Sequence, residues 1–253
     1  MMLKDFYEKH RNFSFRTLSE YYISPGIRCK FNILKDNINT KRIFLRGIDL
    51  GSSGNSILNF LDNIKHKSFF DIANLPLKQY KSEDTWHPMC GDLVKLPYRE
   101  ETFDFVSVLD VLEHIKDDKL AVSEISRILK KNGIAVITVP HRMKYYTTQD
   151  IIIGHYRRYE ISQIINSFNK FNLINLKTFG VYGRLMMIAD IQSTNPKKIE
   201  QNLINLRNKY ESNIVFRKFW NVIVNILSKF MKLDAKYNST NRIRNIGLIF
   251  IKK

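Results

Sequence analysis

The sequence predicts an α/β protein built on an open sheet with helices on both faces. Three observations predict it. Apolar strand-like runs alternate with segments of helical periodicity along most of the chain. One such run, "LRGIDLGSSGNSIL" at 45–58, passes from a strand through a glycine turn into a helical pattern. Asp49, Asp71, Asp92 and Asp110 fall at or just after expected strand ends, where open α/β sheets bind their ligands.

Taken in order, residues 3–22 read as an amphipathic helix with Phe6, Phe13, Leu18 and Tyr21 as apolar contacts. "KRIFLRGIDL" reads as a strand and "GNSILNFLDNIK" as a helix presenting Ile57, Leu58 and Leu61. "KSFFDIA" is a short strand ending at Asp71, "TWHPMCGD" a weaker one ending at Asp92, and "FDFVSVLDVL" a strong one. "DDKLAVSEISRILKKNG" has an acidic start, apolar Leu120, Ile125, Ile128 and Leu129, a basic last turn, and Gly133 as expected C-cap. "IAVITVP" is a buried strand stopped by Pro140, "EISQIINSFNKF" a helix, and "NLINLKTFG" and "NIGLIFIKK" the last two strands.

The chain has 253 residues, 44% hydrophobic and 26% charged, as in a globular protein rather than a disordered one. Cys29 and Cys90 are its only cysteines and have no metal spacing, so no metal is expected. Two distant cysteines support no disulfide framework, so a reducing cytoplasm is expected, and a soluble protein because the start of the chain lacks a signal-peptide core and no run suffices to span a bilayer. The formal net charge is +17, with 13 Lys/Arg against 3 Asp/Glu in residues 197–253. Such an excess attracts polyanions, whether nucleic acid, anionic membrane or phosphorylated substrates; a compositional bias towards Lys, Ile and Asn accounts for it equally well.

A dinucleotide is a poor match for the glycine turn. Its glycines are spaced wrongly, and Asp49 just before the turn repels a pyrophosphate. Repeated acids suit a cationic ligand rich in hydroxyl and amino donors, such as a nucleoside carrying a sulfonium and an amino acid moiety.

"IDLGSSGNS" resembles the first motif of class I S-adenosylmethionine-dependent methyltransferases, and "GDLVKLPYREETFDFVSVLDVLEHIKD" resembles their acid loop, fourth strand and LEH segment. "AVSEISRILKKNGIAVITVP" is similar to the helix and fifth strand that follow. The resemblance covers roughly residues 43–180. It implies a Rossmann-like, seven-stranded, mostly parallel sheet with a reversed last hairpin, and S-adenosylmethionine as cofactor. On that likeness Asp49, Gly51, Ser53 and Gly54 hold the amino acid end, and Asp71 takes the ribose hydroxyls with Ile72 beside it. Asp92 takes the adenine amine, with Leu93 and Leu109 lining the pocket. The family's glycine-rich turn is altered here, with Ser53 or Asn55 where further glycines would fall.

Methyl transfer needs a positioned nucleophile and, for an oxygen or nitrogen acceptor, a base. His114, Tyr146 and His155 are the candidates, and His141, Arg157, Arg158 and Tyr159 the expected acceptor contacts. "GHYRRYE" resembles an element found in a subset of the family. Its arginines suit a bidentate clamp on phosphate or carboxylate, and equally a structural tie between the loop and nearby acids.

The stretch 181–245 separates the last two strands where the family usually has a short hairpin, so an inserted structure is expected. The resulting division is 1–40 as an N-terminal helical extension, 41–180 with 246–253 as the core, and 181–245 as a helical insertion. At its centre, 213–233 places Lys218, Asn221, Asn225, Ser228, Lys229 and Lys232 on one polar face and leaves a wide apolar face that includes Trp220. Packing, a dimer interface, cover for a greasy substrate, or contact with an anionic membrane through Trp220 would each use it. Three function classes follow: a methyltransferase for a small, anionic or lipid-linked acceptor, an RNA methyltransferase, and a non-catalytic binding module.

Overall fold

The computed structural model describes residues 17–39, 41–81, 84–185 and 196–253, with side chains of 196–200 excepted. Phe6 and Phe13 of the expected first helix lie outside the described residues. Seven strands form one sheet in the order β3-β2-β1-β4-β5-β7-β6. They are β1 (Phe44–Leu50), β2 (Ile64–Asp71), β3 (Trp86–Cys90), β4 (Phe103–Leu109), β5 (Leu129–Pro140), β6 (Leu173–Tyr182) and β7 (Asn245–Lys252). Pairs from β3 to β5 are parallel, and β7 runs antiparallel to both β5 and β6, which is the reversed last hairpin.

Period-two alternation sends successive side chains to opposite faces. In β5, Ala135, Ile137 and Val139 join one core cluster, and Ile134 and Val136 the other. The first face is covered by α4 (Asp118–Ile128) and α6 (Ile161–Asn169), where Phe168 stacks on Phe250 of β7 at 4.3 Å. The second is covered by α2 (Pro25–Asn37), which brings Phe31 and Leu34 against Phe44, Phe105 and Val136. α2 starts where its sequence says it should: Ser24 accepts from Ile27 N–H, and Pro25 occupies the first turn. Before it, α1 (Ser19–Ile23) leaves Leu18 exposed and packs Tyr21 against Phe60.

Two elements differ from expectation. No helix spans 54–65; a single 3-10 turn, Ile57–Phe60, precedes β2. Ser56 accounts for it, because its hydroxyl binds both Leu58 N–H and the Asp49 carboxylate while its N–H donates to Tyr80 Oη. Ile57, Leu58 and Leu61 are still buried, so one turn satisfies the apolar spacing that suggests a helix. Secondly, α4 ends at Ile128 rather than Gly133, because Leu129 is already paired with Phe103 in the sheet. The positive φ of the following bend falls on Asn132, not on the expected Gly133 cap. Leu120 is exposed rather than in the core.

Between β6 and β7 lie α7 (Pro196–Ser212) and α8 (Ile214–Tyr237). α8 packs on α2 and β6, with Arg28 donating to Asn225 Oδ1 at 2.6 Å. α3 (Asn74–Leu77) and α5 (Thr148–Ile152) are short connectors.

Candidate functional site

The carboxyl ends of β1 and β2 meet in one turn. Gly51 adopts φ +77, and a Cβ there would lie 2.3 Å from Val111 Cγ2, so only glycine fits the approach of the β1 and β4 loops. Ser53, at the position of a lost glycine, takes φ +48 and donates its N–H to Asp71 Oδ2 at 2.9 Å. Gly54 is buried, without a positive φ. Asp71 Oδ1 accepts from Ala73 N–H, beyond the half-buried Ile72. Burial raises the Asp71 carboxyl above its ordinary value, opposed by these backbone donors.

Asp49 is placed differently from the expectation that it holds the cofactor's amino acid end. Its two oxygens accept hydroxyls from Ser56 at 2.6 Å and Ser107 at 2.5 Å, so it anchors the turn from within. Burial pushes its carboxyl up to about 6 against those hydroxyls. Asp92 lies two residues past β3, exposed, with Oδ1 accepting from Val94 N–H in an Asx turn; Leu93 is buried beneath it. Leu109, half-buried, ends β4.

The next residue, Asp110, sits at φ +56 and ties three elements to the end of β4. Its Oδ2 takes Lys30 Nζ from α2 at 2.9 Å, and its Oδ1 takes Thr138 Oγ1 of β5 and Asn245 Nδ2 of β7. Burial works against ionisation, but Lys30 and these donors outweigh it and hold the carboxyl at about 2. Glu113 follows in a 3-10 turn, Leu112–His114, fully buried with both carboxylate oxygens lacking a hydrogen-bond partner. Burial and the nearby Asp110 raise it well above the usual carboxylate range.

The "GHYRRYE" loop closes over this turn. His155 Nδ1 lies 2.7 Å from Asp150 Oδ1, and Arg158 grips the same carboxylate with two bonds of 2.9 Å. Burial disfavours the Asp150 charge, yet His155 and Arg158 hold its carboxyl well below the ordinary range. Arg157 pairs with Asp118 and donates to Lys116 O, while Tyr159 Oη donates to Asp118 or the Leu112 carbonyl. Tyr146 Oη donates to the His155 carbonyl. His141 is buried, its Nδ1 at 3.2 Å from the Ile243 carbonyl, and burial lowers its pKa. The structural tie is thus the arrangement that the two arginines and Tyr159 adopt here.

Of the expected residues, the turn brings together Asp49, Gly51, Ser53 and Asp71, and the β4 end brings His114 to His155 with ring centroids 4.5 Å apart. His141 lies elsewhere, in an open groove of about 590 Å³ shared with Arg142, Glu160 and Asn241. Sequence reasoning missed Lys30, Glu113 and Asp150 as site residues. Glu113 carries a signal, standing inside the LEH segment; Lys30 and Asp150 carry none, because their partners are distant in the chain or hidden within a polar loop.

α8 divides its wide apolar face. Val224, Ser228, Met231 and Ala235 face inward, and Asn225 and Lys232, expected on a solvated face, bind Arg28 and Asp36 of α2. Trp220 is half-buried and donates to the Ile23 carbonyl at 3.0 Å, which corrects its expected position on the membrane-facing side. Outward runs an exposed stripe: Val215, Phe219, Val222, Ile226, Phe230, Leu233 and Tyr237. Among the described residues no helix is long and apolar enough to cross a membrane.

Residues 48–137 match the methyltransferase domain family. An uncharacterized protein of Methanocaldococcus jannaschii is 28% identical over 143 residues, 55% of this chain and 61% of its own. A demethylmenaquinone methyltransferase of Streptomyces griseus is 39% identical over 62 residues, 24% of this chain and 27% of that one. The chain thus spans less than two thirds of either relative. Phosphoethanolamine N-methyltransferase 2 of Haemonchus contortus, solved with phosphomonomethylethanolamine and S-adenosylhomocysteine, superposes with a TM-score of 0.65 at 17% identity. That superposition covers all of this chain and 60% of the other, and at this identity it speaks for the fold. Sheet order, glycine turn and matched segment agree: residues 48–137 carry a methyltransferase domain, set in a class I, Rossmann-like methyltransferase fold.

Proposed function

We propose that this chain transfers a methyl group from S-adenosylmethionine to a small, anionic or lipid-linked acceptor, and that it works against an anionic membrane surface. The observation that carries the first part is the coupled turn, in which Ser53 N–H holds Asp71 at the mouth of β1 and β2. Asp71 has acceptor capacity left for ribose hydroxyls, and the exposed Asp92 suits an adenine amine. The cofactor supplies an electrophilic methyl carbon on a sulfonium, whose bonding pair stays with sulfur as the thioether leaves. The chain's part is to orient the acceptor lone pair in line and, where the acceptor carries a proton, to remove it. Tyr146 is engaged with the loop backbone, so that task falls to the β4 end, where His114 meets His155.

The exposed stripe of α8 supports the second part. Lys218, Lys229 and Lys236 are exposed and recur along one border of it, giving an apolar strip beside a basic row. That pairing complements acyl chains lying beneath anionic headgroups. Nucleic acid would use the basic row and leave the apolar strip in water.

The test has two arms. Calorimetry should show S-adenosylmethionine and S-adenosylhomocysteine binding and no nicotinamide dinucleotide binding; silence with both would remove the methyltransferase reading. Vesicles of phosphatidylcholine with rising phosphatidylglycerol should pellet the protein in a salt-sensitive way. Phe219→Ser with Phe230→Ser should weaken that at least tenfold, each ring contributing about 1.5–3 kcal/mol of burial. Unchanged pelleting by the double variant, or dimerisation through the stripe without lipid, rejects the membrane.

A further inference from the structure

We infer that Glu113, His114 and His155 form a binding site for one divalent transition-metal cation. The three side chains offer ligand atoms that all lie within 4.8 Å of one another, with Glu113 Oε1 3.8 Å from His155 Nε2. That separation is too long for a hydrogen bond and close to the spacing of two ligands on one ion. Metal bonds of about 2.1 Å put neighbouring donors roughly 3–3.5 Å apart. The longest separation needs to shrink by about 1.5 Å, within the reach of side-chain rotation.

The Glu113 carboxylate carries the inference. The residue is fully buried, and neither oxygen has a hydrogen-bond partner. A buried carboxylate without donors is costly, and native proteins supply such groups with a proton donor, a water or an ion. What surrounds Glu113 selects the ion. The His114 and His155 rings meet edge to face, at 75°, and so approach the carboxylate from different directions.

His155 is, besides, already prepared as a ligand. Asp150 accepts from its Nδ1–H, which leaves Nε2 with its lone pair, and Arg158 fixes Asp150 through two bonds. A carboxylate behind the ring, setting its tautomer and orientation, is the usual support for a metal-bound imidazole. Asp110, the other nearby acid, is taken up by Lys30, Thr138 and Asn245. The two arginines and the lysine around the cluster are thus spent on other carboxylates.

Two imidazoles and one carboxylate suit zinc, iron, cobalt or manganese better than magnesium or calcium, which favour all-oxygen shells. Three protein ligands also leave positions open for water or for an acceptor oxygen. The role of those positions rests on the methyl-transfer reading: an acceptor hydroxyl held there loses its proton more readily, and the two imidazoles act as ligands rather than as a free base. Metal uptake itself rests on the cluster alone. The spacing of the sequence gives no reason to expect it, because one ligand lies some forty residues beyond the other two.

The experiment is a titration of the full, chelator-stripped chain with Co²⁺, followed by visible absorption, and with Zn²⁺ and Mn²⁺ by calorimetry. One equivalent should bind. Glu113→Gln and His114→Ala should each weaken binding at least tenfold, and Asp150→Asn by about tenfold to a hundredfold through the lost support. His66 and His87, stacked at 6.0 Å on the β2–β3 edge, provide the control, and His87→Ala should change nothing. Absence of uptake, uptake lost with His87→Ala, or uptake unaffected by His114→Ala overturns the site. Should Glu113→Gln fail to fold by circular dichroism, His114→Ala decides alone. Parallel calorimetry with S-adenosylmethionine separates the two readings: metal uptake without cofactor binding removes the methyl-transfer reading and keeps the site, and the reverse result removes only the site.

Discussion

Asp49 and Asp71, at the ends of β1 and β2, are met by neutral donors, whereas Asp110 and Asp150, on the β4–β5 side, are met by cations. Hydroxyls hold Asp49 and backbone N–H groups hold Asp71. Lys30 holds Asp110, and Arg158 with His155 holds Asp150. Burial acts on all four in the same direction, yet the first two carboxyls are raised and the second two lowered. A carboxylate whose hydrogen bonds come only from neutral donors still gains from a cationic or hydroxyl-rich ligand. One already facing a buried cation has little left to offer. The β1–β2 end is therefore built to receive something, and the β4–β5 acids are built to hold the loops around it.

The largest expected effect tests the second pair. Arg158→Ala leaves Asp150 buried without its arginine counter-charge and should cost about 3–5 kcal/mol in urea denaturation. S-adenosylmethionine affinity of the folded fraction should stay within about twofold. A variant of wild-type stability that fails to bind its acceptor would instead return Arg158 to the clamp role and blur the comparison.

Next comes a pH signature that only the first set can give. The Asp49 carboxyl is at about 6 in the fold and near 3.9 when unfolded, so the folded state binds more protons between those values. Its contribution is present at low pH and is lost as pH rises from about 4 to about 6, by about 3 kcal/mol. Asp110, held at about 2, works with the opposite sign, adding stability above about 4 that is lost as pH falls towards 2. Asp49→Asn should therefore gain on the wild type between pH 4 and pH 7 by about that amount. Parallel stability profiles of the two proteins would show that Asp49 does not titrate in this window.

The smallest effect is the most direct reading of ligand readiness. Asp71→Ala should weaken S-adenosylmethionine binding by about 1.5–3 kcal/mol, the worth of hydrogen bonds to a charged group, with the acceptor's KM unchanged. Unchanged calorimetric affinity would remove Asp71 from the ribose site and leave it as a support for the Ser53 turn.

The strands were legible because their signal is local. "FDFVSVL" and "IAVITVP" alternate or run apolar within a few residues, and the structure places both at the sheet centre. The acids at strand ends were legible for the same reason. The helix expected over 54–65 failed because Ser56 spends its hydroxyl and N–H on Asp49, Leu58 and Tyr80, a tertiary choice that overrides periodicity. The α4 boundary failed likewise, Leu129 being claimed by Phe103 across the sheet.

By itself, then, the sequence determined the α/β order, the turn at Gly51 and the carboxylates that border it, since period and spacing are properties of neighbours in the chain. Only the tertiary structure decided which carboxylates are neutralised and which half of α8 is covered. Those outcomes depend on pairs such as Lys30 with Asp110, 80 residues apart, and Arg28 with Asn225, 197 apart. No local pattern encodes such meetings, because a burial penalty and a counter-charge act through space, and their sum is fixed only when the sheet, α2 and α8 close on one another.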